Sequence, residues 1–384
     1  MRIPKILAVV LAGGKGSRLG ALTENRAKPA LPVAGTYRLI DISLSNLMHS
    51  HLDNVWVLQQ YLPHGLNAHL AGGRPWDLDR SHGGLLVLPP YQGDEGEGFA
   101  EGNTDALRRQ REVIADFAPD LVLVLSADHL YTLNFLDVVD THLEQRAALT
   151  MVTTEVSEDP SRFGVVQADA DGLVRGFDYK PERAEGRLVA AEIFLFDTTL
   201  LLEALEELHR RNGRLQDYGH DLVPWFVEHH RVASHRLTGY WKDLGTLRSY
   251  WDAHMELLNG TGAVLDAPDW PILTAQPQLP PARIWGTASI AESMVSAGAR
   301  VHGEVRHSVL GPNALIEQGA TVRNSVLLDG VRVLRGAVLD NVIADVGAVI
   351  GAGRHGSPDA VTLLDGDGAV DRVDPFTTDS EDSE

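Results

Sequence analysis

An α/β fold, in which a doubly wound, mostly parallel sheet gives way to a parallel β-helix, is predicted by two patterns in the sequence. Continuous apolar runs at 6–11, 55–58, 121–125 and 149–153 alternate with helix-length stretches at 37–50, 103–116 and 134–145. Strands buried on both faces and joined by crossover helices read this way. Farther on, His307-Ser308-Val309, Asn324-Ser325-Val326 and Asp340-Asn341-Val342 repeat a polar pair before valine at intervals of 17 and 16 residues. Aliphatic residues recur near every sixth position between them, the signature of stacked coils of three short strands. The length, 384 residues, suits two domains at roughly 150 residues each, with room for a third.

Taken in order, the first strand ends at Gly13-Gly14, a turn that stops a buried run abruptly. The interval 71–102 is rich in Gly, Asp and Pro without periodicity, so it is expected as a mobile excursion over the ligand-bearing face. After Leu258 the chain turns polar and carries Pro268, Pro271, Pro277, Pro280 and Pro281, which predicts an extended connector. These shifts give a sheet domain over 1–258, a linker over 259–283, about four β-helix coils over 284–366 and an acidic tail over 367–384. The tail, poor in aliphatic residues, is expected to be disordered.

Composition narrows the function. Lys and Arg total 33 against 53 Asp and Glu, a formal net charge of -20, and such a surface repels nucleic acid and anionic lipid. There is no cysteine, which removes disulfides, thiolate metal sites and thiol nucleophiles, so any metal must be held by oxygen or histidine. No run reaches the roughly 18–20 apolar residues of a membrane span. The opening segment leads into glycines, with no small-residue cleavage site. A cytoplasmic protein is the expectation.

The motifs point to phosphate chemistry. Leu11-Ala12-Gly13-Gly14-Lys15-Gly16-Ser17-Arg18 places glycines directly after a buried strand, where backbone N–H groups can approach a phosphate or base and Arg18 can stabilise charge on a pyrophosphate leaving group. It lacks the closing Gly-Lys-Ser/Thr of a P-loop and the spacing of a dinucleotide fingerprint. Arg26-Ala27-Lys28 adds cations to an otherwise acidic chain, which suggests an anionic ligand. For Arg38 and Asp41 an ion pair is the alternative to ligand binding. Asp128 follows the apolar run 121–125, at the carboxyl end of a central strand where open α/β sheets bind ligands, and suits Mg²⁺. His129 beside it reads as packed or hydrogen-bonded. Asp243, in Tyr240-Trp241-Lys242-Asp243-Leu244-Gly245-Thr246, lies 115 residues farther on, and only the fold could bring the two acids to one ion.

The ordered set LAGGKGSRL, NRAKPALP, YRLIDISLSN, SADHLY, RFGVV, DYKP, DYGHDLVP and YWKDLGT resembles the bacterial glucose-1-phosphate adenylyltransferase family over nearly the whole chain. The resemblance implies a Rossmann-like nucleotidyltransferase domain with a mixed, mostly parallel sheet, then a left-handed β-helix. It implies Mg²⁺-dependent transfer of an adenylyl group from ATP to glucose 1-phosphate with release of pyrophosphate, in glycogen or α-glucan synthesis. By motif, Leu11, Ala12, Gly13, Gly14, Gly16, Gln60 and Gly102 would meet the nucleotide, and Arg18 and Lys28 its phosphates. Asp128 and Asp243 would bind the metal, while Gly164, Tyr179, Lys180 and Glu192 would bind the sugar phosphate, with Arg18, Asp128, Lys180 and Asp243 catalytic. Homotetramers and an allosteric cleft are usual in this family. Lys28, Arg38 and the β-helix arginines 300, 306, 323, 332 and 335 are regulatory candidates, although most of those five read as exposed corner residues.

The departures fall on the sugar side. The family's Glu-Lys-Pro is here Tyr179-Lys180-Pro181, its Ser-Met-Gly is Ala190-Ala191-Glu192, and the segment 99–106 lacks its usual tyrosine and arginine. A hydrogen-bonding pocket loses steeply when a polar partner is missing. Three outcomes follow: Asp178 or Glu192 takes over the hydroxyl contacts, the acceptor is another sugar phosphate, or turnover has been lost, which would suit a non-catalytic subunit that assembles with an active paralogue.

Overall fold

The computed structural model describes residues 4–13, 16–89, 100 and 102–376. They form two compact units, and these cut across the boundary expected near residue 258. One comprises Met1–Gly14, Ser43–Ala127 and Thr132–Trp241; the other Lys15–Ile42, Asp128–Tyr131 and Lys242–Glu384.

The first unit is built on a nine-stranded sheet. Its main path runs Val174–Tyr179, Gly164–Ala168, Leu188–Asp197, Leu121–Ser126, Ile6–Ala12, Asn54–Gln59, Gly84–Leu88, with Leu149–Glu155 and Val232–Arg236 off this path. Ile6–Ala12 is buried along its whole length because it is central, pairing in parallel with Asn54–Gln59 and Leu121–Ser126. Leu11 lies opposite Ser126 and Ala12 opposite Gln59. These three parallel strands therefore finish level, and the residues that follow each share the carboxyl edge. The sheet is mixed because Leu188–Asp197 runs antiparallel to Leu121–Ser126.

The helix after Leu188–Asp197 covers the sheet with one apolar stripe. Thr198–Asn212 buries Leu201, Ala204, Leu205 and Leu208, and its cap Asp197 accepts from Leu200 N at 3.0 Å. The helix expected over 103–116 is two, Asn103–Arg109 and Arg111–Phe117, divided where Gln110 takes φ -95° and ψ 3°.

The excursion expected over 71–102 needs correction. It includes the helical turn Ala71–Trp76 and the strand Gly84–Leu88, parallel to Asn54–Gln59. The apolar run Leu85-Leu86-Val87-Leu88 is a short strand of its own, and backbone pairing outweighs the polar composition around it. Residues 90–99 and 101 lie outside the described residues, so the expected mobility has no structural account.

The second unit contains the left-handed parallel β-helix. Three sheets of short strands stack coil on coil. Ile284, Val301, Ile316, Val333 and Ile350 pair in register on one of them. The repeated polar pairs are corners: His307, Asn324 and Asn341 take left-handed φ values of 47°, 46° and 53°. Buried serines link successive coils, Ser308 Oγ accepting from Ser325 N and Ser325 Oγ from Val342 N, each at 3.1 Å. No helix or strand lies between Leu258 and Arg283.

The tail expected to be disordered from residue 367 also needs correction over its described part. Val370–Pro375 is a strand, antiparallel to the buried strand Ala360–Leu364. Asp365-Gly366-Asp367-Gly368 makes the reversal, Asp365 Oδ1 accepting from Asp367 N and Ala369 N while Gly368 takes φ 81°. Such a turn needs Asp and Gly, and the same residues that read as solvated tail are its chemistry. Residues 377–384 lie outside the described residues.

Candidate nucleotide, metal and sugar-phosphate sites

In the second unit Asp128 and Asp243 meet around one cation. Lys28 Nζ lies 2.6 Å from Asp128 Oδ2 and 3.4 Å from Asp243 Oδ1. His129 Nε2 sits 3.4 Å from Asp128 Oδ1 and 3.6 Å from Asp243 Oδ1. The backbone closes the arrangement through Leu244 N donating to Asp128 O at 3.4 Å. The Lys28 side chain is 7% exposed, against 23% for Asp128 and 11% for Asp243. These charges are partly withdrawn from water, where opposite charge counts for more.

The segment bearing Lys28 is pinned by the helix Leu247–Leu258. Tyr250 Oη donates to Pro32 O at 2.6 Å, and His254 Nε2 accepts from Ala34 N at 3.1 Å while its Nδ1 faces Tyr250 O at 2.7 Å. Since Nε2 accepts, His254 is the neutral Nδ1–H tautomer, and burial pushes its pKa down to about 4. Burial also raises the Tyr250 phenol.

Asp128, His129 and Asp243 each offer one ligand atom, all within 4.8 Å of one another. Two carboxylates and an imidazole are a donor set for a divalent cation, the oxygens favouring a hard ion. Lys28 already places one positive charge between the acids, so the residues fit a metal. Arg18 approaches the same acid: a Cβ on Gly245 would meet Asp243 Oδ2 at 2.5 Å and Arg18 Nη2 at 3.1 Å. The two side chains therefore crowd the same stretch of backbone at Gly245.

In the first unit the nucleotide candidates Leu11 and Ala12 end the central strand. Gln60 follows the neighbouring strand and folds over Gly13, where a Cβ would meet Gln60 Oε1 at 2.7 Å. Gly102 caps the helix Asn103–Arg109 against Gln216 O, which also accepts from Thr104 N at 3.1 Å. Gly14 lies outside the described residues. Gly16, in the second unit, takes φ 64° and accepts from Thr23 Oγ1 at 2.8 Å.

The sugar-side candidates form a polar cluster in the first unit. Tyr179 Oη donates to Asp217 Oδ2 at 2.5 Å and accepts from Lys180 Nζ at 2.8 Å. The Tyr179 ring meets His220 edge-on at 4.6 Å. Glu192 sits in a bulge, the register against Leu149–Glu155 slipping between Ala190 and Phe194, and takes φ 57°. A bulge re-aims a side chain, and here the carboxylate reaches the buried Tyr218 phenol. Burial, then the charges of Glu192 and Asp217, push that phenol well up, so it stays protonated and donates to Glu192. Lys180 takes φ 49°, so two side chains of one cluster sit on strained backbone, a pattern of ligand sites. Asp178 is exposed and bonded to Gln167 Nε2 at 3.0 Å, leaving Glu192 as the carboxylate of the pair that joins the cluster. Gly164 lies under the Phe177 ring.

Arg38, a regulatory candidate, is half-buried; its N donates to Asp41 Oδ2 at 2.8 Å and its Nη1 to Tyr37 O at 3.3 Å. The five β-helix arginines are exposed. Sequence reasoning assigned no role to Asp217 or Tyr218, although both stand in the quoted DYGHDLVP. Their partners come from strands whose pairing is settled only in three dimensions.

Comparison with known proteins identifies the family. The family described as Nucleotidyl transferase matches residues 7–260, and the GlmU-like C-terminal hexapeptide family matches residues 280–358. A glucose-1-phosphate adenylyltransferase of Clostridium acetobutylicum is 39% identical over 315 residues, covering 81% of this chain and 83% of its own. Proteins of the same name from Pseudothermotoga lettingae and Bacillus thuringiensis are 40% and 37% identical, covering 83% and 90% of this chain and 76% and 93% of their own. With acid pair, glycine turn and β-helix all present, the chain belongs to the nucleotidyl transferase family and, within it, to the glucose-1-phosphate adenylyltransferases.

Proposed function

We propose that the chain joins ATP to glucose 1-phosphate, making ADP-glucose and pyrophosphate. The observation that carries this reading is the meeting of Asp128 and Asp243 around Lys28 Nζ, at 2.6 Å and 3.4 Å. A phosphate oxygen of the sugar phosphate attacks the α-phosphorus of ATP. The bond to the α–β bridging oxygen breaks, and pyrophosphate leaves with the electron pair. One phosphoanhydride replaces another, so the protein's task is alignment and neutralisation of two polyanions. Arg18 and Lys28 neutralise nucleotide phosphates, the glycine turn and Gln60 hold the nucleotide, and Lys180 holds the sugar phosphate. Asp128 and Asp243 would hold Mg²⁺, which supplies charge neutralisation on the phosphate oxygens.

Asp128→Asn removes one metal acid with little change in shape. Turnover is expected to fall at least a hundredfold, the order seen when a charge-stabilising group is lost, with the melting temperature within a few degrees of the parent. Near-normal turnover would overturn the metal assignment.

A different sugar 1-phosphate is the second reading, favoured by Tyr179 capping Asp217 and by Glu192 in its bulge. Pyrophosphate release measured with ATP, Mg²⁺ and a panel of sugar 1-phosphates separates the two, and silence with every sugar and nucleotide would favour the non-catalytic subunit. A cytoplasmic tetramer, or a hetero-oligomer with a paralogue, completes the reading. The stacked coils of the β-helix support it as a platform for assembly, and sedimentation of the purified chain tests it.

A further inference from the structure

The strand Val370–Pro375 is tied to the Arg18 segment by two bonds, both inside the second unit. Its pairing with Ala360–Leu364 slips by one residue: Leu363 faces Arg372 and Leu364 faces Val370, so Asp371 is the extra, bulged residue. The bulge turns the Asp371 carboxylate toward the glycine-rich segment, where Asp371 Oδ2 accepts from Ala21 N at 3.1 Å. Next to it Arg372 Nη1 donates to Arg18 O at 2.6 Å. Gly20, between the two anchored residues, takes φ 56° and ψ -139°, and a Cβ there would run into the Asp371 carboxylate. A backbone that only glycine adopts comfortably is thus fitted to the bulged carboxylate.

The same strand holds the other side of the acid pair. Asp374 Oδ2 accepts from Arg248 N at 3.2 Å, in the first turn of the helix that follows Asp243 by four residues. The ring of Phe376 lies 4.3 Å from the Arg248 guanidinium carbon and 5.4 Å from the Trp251 ring. The strand therefore bonds to the segments that lead to Arg18 and away from Asp243, while itself bearing no group on the acid pair.

We propose that Asp371 and Arg372 are positioning residues for Arg18, fixing the backbone from which its guanidinium reaches toward Asp243 and the leaving pyrophosphate. The proposal rests on the reading of Arg18 as the leaving-group cation. Displacement of a catalytic group by a fraction of an ångström lowers turnover more than ground-state binding.

The experiment is a double-mutant cycle of Asp371→Ala with Arg18→Ala in the full chain, with Arg372→Ala in place of Asp371→Ala should the latter fail to fold. Activity of the unaltered chain with ATP and a sugar 1-phosphate is measured first; if it is absent, the proposed function fails and the positioning proposal is read by amide exchange alone. In Asp371→Ala, exchange over residues 16–23 is expected to quicken, kcat to fall on the order of tenfold, and KM for the sugar phosphate to stay within twofold. In the Arg18→Ala background the substitution is expected to cost nothing further, because both changes act through one guanidinium. Asp371→Asn keeps an oxygen that accepts from Ala21 N and is expected to restore most of kcat. Unchanged exchange, unchanged kcat, or a loss that simply adds to that of Arg18→Ala would overturn the proposal.

Discussion

Lys28 holds a position that a metal ion would contest. Its ammonium lies within 3.4 Å of both acids, and removing it leaves two carboxylates facing each other with less compensation. Breaking a partly buried pair costs about 1–3 kcal/mol, less than the several kcal/mol of a fully buried one. Lys28→Ala is therefore expected to melt earlier than the parent without divalent cation and to gain more when Mg²⁺ is added. Calorimetry with and without Mg²⁺ checks this, and an equal Mg²⁺ shift in both proteins would refute it. On the sugar side, Tyr179→Phe removes the hydroxyl shared by Asp217 and Lys180. A bond to a charged group is worth about 1.5–3 kcal/mol, so KM for the sugar phosphate should rise about tenfold or more, with kcat moved less. Steady-state kinetics decides, and an unchanged KM would separate Tyr179 from sugar binding. The individual roles were unevenly legible. The glycine turn and Asp128 show themselves as punctuation after apolar runs and Asp243 stands in the quoted YWKDLGT, whereas Asp217 was given no role because its partner Tyr179 lies 38 residues away along the chain.

At the scale of elements, the helix Leu247–Leu258 joins stability to the Lys28 segment through a histidine that must stay neutral. His254 is held near pKa 4 by burial, and so is His142, whose Nδ1 lies 2.9 Å from Thr150 Oγ1. His235 shifts the same way. Each has a folded pKa below its unfolded value of 6.5. Between 6.5 and about 4 the unfolded chain binds protons that the folded chain refuses, so stability is full above 6.5 and is lost as pH falls. The loss approaches about 1.4 kcal/mol per pH unit for each fully neutral histidine. The carboxylates of Asp159 and Asp169 are depressed below 3.8 by bonds from Ser161 and Leu173, and their losses come mainly at lower pH. Urea denaturation at pH 7, 6 and 5 should show a steep decline, and a flat profile would show those imidazoles free to charge in the fold. The helix Leu247–Leu258 was not among the stretches read from the sequence; its Thr246 cap and the buried Leu247, Tyr250, Ala253 and Leu257 stand out only once it is folded. Nor was the strand Gly84–Leu88, because four apolar residues amid Gly, Asp and Pro carry too little periodicity to reveal a sheet edge.

Across the whole molecule, linear order and compact structure part company. Two patterns marked a sheet and a β-helix correctly, because apolar runs and coil corners are local signals. The boundary between units was hidden, since Lys15–Ile42 and Asp128–Tyr131 fold with the C-terminal unit. That unit holds Lys28, Asp128 and Asp243 together with the β-helix. Arg26 Nη1, two residues before Lys28, lies 2.5 Å from Asp345 Oδ1, both side chains largely buried. Trp251 Nε1, from the helix that anchors Pro32 and Ala34, donates to Asn324 O at 2.7 Å. A chain ended after Leu258, where composition suggests a clean cut, would leave Arg26 with its buried partner gone and would expose the apolar face of that helix. An uncompensated buried charge costs about 3–5 kcal/mol, a large part of a typical domain's total stability of about 5–15 kcal/mol. The shortened chain is expected to lose turnover and to show no Mg²⁺-dependent rise in melting temperature, even where circular dichroism still reports the sheet. If it kept near-normal pyrophosphate release, the acid pair would be shown to assemble without the β-helix, and the two-unit account of the site would fall.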